Sequence, residues 1–141
     1  MSGQYVRVGG SPESVVRDFL ASWSDPKADR LAAFLAEDAA WVDGPNGVHR
    51  GVKTIVDELM RQLTMARDSW MEIDTLLAGC DGTVMVEWHG GFTIRETSIA
   101  SKVMVVFEVD QSGRRPVRRI DAARARTDVH RGAGALDRPA D

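Results

Sequence analysis

The hydrophobic period of this chain changes once, near residue 68, and that change restricts its fold more than any other feature. Before it, apolar residues recur at helical spacing; after it they alternate or run in β-branched blocks. Ser11-Pro12-Glu13 opens the first predicted helix, with an N-cap serine, a proline at the first helical position and an acid beside the positive end. Val15, Val16, Phe19, Leu20 and Trp23 give it one apolar face. Ser24-Asp25-Pro26 stops it and starts a second helix, whose expected buried stripe is Leu31, Phe34 and Leu35. Trp41-Val42-Asp43 reads as a short extended piece before the turn Gly44-Pro45-Asn46-Gly47. Gly51 begins a third helix, with Ile55, Val56, Leu59, Met60 and Leu63 inside.

Four strands are predicted after the change: Trp70 to Leu77, Thr83 to Trp88, Lys102 to Val109, and Val117 to about Ala125. Gly79-Cys80-Asp81-Gly82 is a hairpin turn between the first two, and Phe92 to Arg95 extends the second. Gly90-Gly91 marks a bulge or a close backbone approach. Helices followed by hairpin-linked strands predict an α+β fold, with a curved, mostly antiparallel sheet packed on one face by the N-terminal helices. A sheet that curls around its helices encloses a pocket, the usual place for a ligand. Residues 1–10 read as a flexible leader, 11–128 as one domain and 129–141 as a flexible tail.

Composition narrows the partners. The 141 residues carry 18 basic and 21 acidic side chains, a net charge of -3 that opposes binding to nucleic acid. The arginines from Arg114 to Arg126 alternate with small or apolar residues and read as a solvated strand face. One cysteine, Cys80, excludes an internal disulfide and fits a reducing compartment. No apolar run suits a signal peptide or a membrane span, so a soluble, cytoplasmic protein is expected. His49, His89 and His130 lack metal-ligand spacing, and neither a metal nor another cofactor is expected.

The segment from Phe34 to Pro45, followed by Arg50-Gly51 and the third helix, resembles the nuclear-transport-factor-2-like superfamily. That group includes limonene-1,2-epoxide hydrolases, ketosteroid isomerases and SnoaL-type polyketide cyclases. The run Val103 to Val109 and Arg119-Ile120-Asp121 also resemble the epoxide hydrolases, and the likeness spans roughly residues 11 to 128. It implies a cone-shaped α+β fold, a dimer, and a pocket inside the cone. By the same resemblance, Asp43 falls where ketosteroid isomerases hold their proton-shuttling carboxylate and epoxide hydrolases an asparagine. Asp121 falls at the second aspartate of the hydrolases' Asp-Arg-Asp arrangement. The arginine and first aspartate of that arrangement would fall at Trp88 and Gly90, and the water-positioning tyrosine at Trp41. The isomerases' oxyanion-hole tyrosine falls at Phe19 and their protonated aspartate near Val105. Neither mechanism is complete in this chain.

Burial beside apolar groups disfavours the charged form of a carboxylate, as a general base needs. Asp43 in such a setting is one reading; an aspartate bonded to the turn amides of Gly44 to Gly47 is the other. Asp121 is either its catalytic partner or half of a salt bridge with Arg119. Trp41, Trp88, Phe19 and Met60 are expected to shape a substrate wall, and Trp70 and Phe92 to pack in the core. His89 is expected on the outer sheet face, since Val84, Val86 and Trp88 share the inner one. The expected function is a cofactor-independent acid–base isomerase or cyclase acting on a hydrophobic small molecule such as a polyketide, steroid or terpenoid. The alternatives are a divergent epoxide hydrolase and a non-catalytic binding module. A homodimer is expected, because an open sheet face with Met85 and valine-rich strands wants covering.

Overall fold

A computed structural model describes residues 10–112 and 114–131, with side chains described through Ala123. The expected leader therefore lies outside the described residues except for Gly10, as do residues 132–141 of the expected tail and the side chains of Arg124, Arg126 and His130. Helix α1 covers Pro12–Ala21, and the Ser11 hydroxyl accepts the Ser14 amide at 3.1 Å. Helix α2 is one short turn, Ala28–Ala32, and α3 runs Val52–Met65. Six strands follow one another as β1 Leu35–Asp43, β2 Val48–Arg50, β3 Arg67–Ala78, β4 Thr83–Ile94, β5 Thr97–Val109 and β6 Val117–Arg131.

They form a single sheet in the order β2-β1-β6-β5-β4-β3, antiparallel except where β1 pairs with β6. Helix α1 packs over β3, β4 and β5, and α3 over β1 and β2. Val15, Val16, Phe19 and Leu20 are buried, as the helical spacing requires. Each side chain so placed contributes about 1.5–3 kcal/mol. Among the described residues no helix is long and apolar enough to cross a membrane.

Several elements depart from the sequence expectations, each for a local reason. Leu35 belongs to β1, not to the second helix, because α2 ends at Ala32 and Phe34 bonds across to Val117 on β6. Strand β5 begins at Thr97 rather than Lys102. The two-residue turn Arg95-Glu96 holds Arg95 at φ 56 and carries no glycine to announce it. The last strand continues to Arg131, paired with β5 throughout. Trp70 stands on the outer face against His89, with ring centroids 5.5 Å apart, and not in the core. His89 itself faces outward, 2.8 Å from Asp74.

Gly90-Gly91 is a close approach and not a bulge: β4 pairs with β5 without a register shift, and the irregularities against β3 carry their extra residues on β3, with Gly90 opposite Met71 and Gly91 opposite Trp70. A Cβ on Gly90 would lie 2.5 Å from the Trp70 carbonyl oxygen and 3.3 Å from the Met71 Cα. Both atoms are backbone of the paired strand and cannot retreat without loosening it. Gly90→Ala is expected to destabilise the fold by about 1–3 kcal/mol, the range for overpacking. An unchanged urea midpoint would show that β3 can yield there.

Candidate functional site

The polar site is built where β1, its hairpin partner β2 and helix α3 meet. Asp43 closes β1 on the inner face, in line with Trp41 and Ala39, and is buried. Its amide donates to the Gly47 carbonyl at 2.8 Å, which turns the chain back into β2. That return sets Trp41 opposite His49, with the rings 4.9 Å apart, and brings His49 Nε2 within 3.3 Å of Asp43 Oδ2. From α3, the Gln62 side-chain amide reaches the same oxygen at 3.1 Å, and Asn46 reaches it at 3.3 Å.

Three side chains thus hold one oxygen of Asp43. No bond reaches Oδ1 from the described residues. Of the two readings of Asp43, the turn-amide reading does not describe this geometry, because the donors are side chains.

Glu58 lies one helical turn before Gln62 and accepts from the Gln62 amide at 2.8 Å. Arg61 grips the Glu58 carboxylate by both oxygens, at 2.9 Å and 2.5 Å. The Arg61 guanidinium, and then the Gln62 amide, hold the Glu58 carboxyl at about 2, well below the usual carboxylate range. Glu58 in turn raises Arg61 above its ordinary value. His49, Glu58 and Gln62 were not singled out from the sequence. The hairpin signal of Gly44 to Gly47 was legible, and counting back from it would have set residue 49 beside Trp41.

The other expected site residues are placed differently. Asp121 pairs across β1 with Val42, while Asp43 pairs with Ala122, so the two carboxylates lie on opposite faces. A register shift between Glu108 and Val109 turns Val117 inward and leaves Arg119 and Asp121 outside, 3.5 Å apart. The convergence of Asp43 and Asp121 is not observed, and Arg119 does not face the inner surface.

Phe19 is fully buried in an aromatic cluster with Trp23, Phe34 and Phe107. Trp88 packs edge-on against Trp23 at 5.9 Å, and Met60 sits half-buried at the edge of the core. A polar groove of about 230 Å³ lies on the outer face, lined by Asp38, Ala40, Arg50, Glu108, Arg118 and Arg119, away from Asp43. Among the described residues, the Trp23 indole N–H is buried without a hydrogen-bond acceptor.

Comparison with known proteins places this architecture. The fold is similar to a crystal structure of a hypothetical protein with a ketosteroid isomerase-like fold from Catenulispora acidiphila DSM 44928 in complex with trimethylamine. That pair shares 19% identity at a TM-score of 0.67, over 81% of this chain and 86% of the other. It is also similar to SalBIII, an epoxide hydrolase/cyclase-like enzyme in pyran ring formation in the polyether salinomycin (17% identity, TM-score 0.72, 86% of this chain and 95% of that one). An LEH-like epoxide hydrolase from M. tuberculosis matches at 19% identity and TM-score 0.68, over 80% and 81% of the two chains. At such identities these likenesses establish the fold alone. A search of curated proteins gives no significant match. The model of the SnoaL-like domain matches residues 16–115, most of the folded region. With helices on one face of a six-stranded, mostly antiparallel sheet, the chain belongs to the SnoaL-like domain family within the nuclear-transport-factor-2-like superfamily.

Proposed function

We propose that the chain is an acid–base enzyme of the isomerase or cyclase type, acting without a cofactor on a hydrophobic small molecule such as a polyketide, steroid or terpenoid. The observation that carries this reading is Asp43, buried and tied through Oδ2 to His49, Asn46 and Gln62. A carboxylate fixed by one oxygen presents the other in a set direction, and placement of that kind is what proton transfer at carbon demands. Oδ1 takes a proton from a carbon beside a carbonyl. The C–H electron pair moves into the carbonyl, and the proton returns to a different carbon.

In this reading the substrate approaches Asp43 at the end of the inner sheet face, with the partly buried Ala122 and Met60 and the Trp41 ring as apolar walls. An unpaired buried donor costs about 1–3 kcal/mol, so the Trp23 N–H favours a ligand that brings an oxygen to it. The neighbours described as ketosteroid isomerase-like in fold and as epoxide hydrolase/cyclase-like support this class of chemistry. Epoxide hydrolysis is less well supported, because by the resemblance Trp88 and Gly90 fall at the positions of the arginine and aspartate, and Asp121 is on the outer face. A cytoplasmic setting fits the free Cys80 thiol.

The test is hydrogen–deuterium exchange at α-carbons of a panel of bulky cyclic ketones in D2O, followed by NMR. Wild-type protein is expected to accelerate exchange for at least one member, and Asp43→Asn is not. Equal rates across the panel overturn the acid–base reading. Ketone retention in equilibrium dialysis would then identify a binding module, the reading favoured by the unpaired Trp23 donor.

The enzyme acts as a homodimer through its outer face, where Met85, Met104 and Leu77 are exposed at 39%, 37% and 62%. Glutamate at both Met85 and Met104 is expected to convert a sedimenting dimer into a folded monomer. A wild-type monomer at all concentrations rules the dimer out.

A further inference from the structure

The Asp43 cluster has a second chemical capacity, independent of the proton-transfer reading. We propose that Asp43, His49 and Glu58, with Gln62 as a fourth donor, bind a divalent first-row transition cation of the Zn2+ type. One imidazole nitrogen of His49 and an oxygen each of Asp43 and Glu58 lie within 4.8 Å of one another. The Gln62 amide stands between the two carboxylates, 3.1 Å from Asp43 Oδ2 and 2.8 Å from Glu58 Oε2. A tetrahedral site with bonds of about 2.0–2.1 Å has ligand-to-ligand edges of about 3.3 Å. The contact between His49 and Asp43, at 3.3 Å, already has that length.

The amide –NH2 of Gln62 donates to both carboxylates from one position, as a cation would attract them from one position. Rotation of that amide replaces its nitrogen by an oxygen and supplies the fourth ligand. Arg61 holds both Glu58 oxygens, Oε2 through its terminal nitrogen at 2.5 Å and Oε1 through Nε at 2.9 Å; a cation displaces the first contact and leaves the second as the outer-sphere bond that ordinarily orients a ligating carboxylate. The donor set holds no thiolate and too few oxygens for calcium, so it selects zinc, cobalt or manganese.

The ligands are close to the surface yet mostly covered, with side-chain exposures of 17% for His49, 11% for Asp43 and 19% for Glu58. They come from a strand, its hairpin return and a helix. No histidine spacing along the chain reveals them, which is why no metal is expected from the sequence. A cation there takes Asp43 Oδ2 from its present donors, so metal loading and proton transfer by Asp43 compete.

Titration of the chelator-treated protein with Co2+ tests the site directly through its visible d–d absorption. A saturable tetrahedral spectrum is expected, displaced by Zn2+ and unaffected by Ca2+. His49→Ala and Glu58→Gln are each expected to weaken Co2+ binding at least about 10-fold, the lower end for disturbing a metal's supporting residues. His89→Gln, which alters the separate outer-face cluster with Asp74, leaves the titration unchanged. Glu58→Gln can still accept from Gln62 and Arg61, so it tests the site even where His49→Ala unfolds. Three results overturn the proposal: no saturable binding, binding indifferent to both substitutions, or a sulfur-to-cobalt charge-transfer band placing the ion on Cys80. Exchange assays on the metal-free protein report the acid–base chemistry separately, so either idea can fail alone.

Discussion

On the acid–base proposal, Asp43→Asn is expected to lower the rate of α-proton transfer by about 10²–10⁴-fold, the contribution of one well-placed general base. In free energy that is about 3–5 kcal/mol of transition-state stabilisation. The substitution isolates chemistry from folding. The asparagine carbonyl oxygen still accepts from His49, Asn46 and Gln62, while its –NH2 replaces the oxygen that none of the described residues contacts. Asp43→Ala would instead strand three donors in a covered setting and confuse the two effects. The measurement is a pair of rate constants at matched ketone concentration, with a urea midpoint for each protein. Equal rates in two equally stable proteins remove Asp43 from the mechanism. A rate loss matched by a large stability loss assigns it a structural role.

Phe19→Ala is expected to destabilise the protein by about 3–5 kcal/mol. That is a large part of the 5–15 kcal/mol, roughly, that holds a domain of this kind together. Phe19 is fully buried, and its ring lies 5.7 Å from Trp23, 5.2 Å from Phe34 and 6.2 Å from Phe107. Three elements meet on that ring: helix α1, the segment before β1, and β5. Removing it leaves a hole that none of them can close alone. The sequence reading put Phe19 in the substrate wall, which makes a different prediction. A wall residue facing a ligand-sized space costs little stability when shortened and changes ligand affinity instead. Denaturant unfolding decides between them: a loss below about 1 kcal/mol restores the wall.

How much of this was legible beforehand differs from residue to residue. The inner face of α1 followed from the spacing of Val15, Val16, Phe19 and Leu20. The inner face of β4 followed from the alternation of Val84, Val86 and Trp88, which also sent His89 outward. Gly90-Gly91 reads from the sequence as either of two devices, and only the partner strand shows which. Trp70 was harder: an aromatic residue in a strand reads as core, yet the pleat turns this one to the outer surface beside His89. Asp43 is a candidate by resemblance and position, and it stands on the inner face. Asp121 is a candidate on the same grounds and stands outside, because one extra residue near Arg118 shifts β6 against β5.

What the amino-acid order determined alone is the succession of helices and strands and, for most of them, the side that meets the core. Those properties are local: they rest on 3.6-residue and two-residue periods, caps and turns within a few bonds of each other. The tertiary structure alone decided that Asp43, His49, Glu58 and Gln62 share one corner while Asp121 does not. Such company depends on strand register and on the angle at which α3 crosses the sheet, and a slip of one residue reverses every side chain that follows.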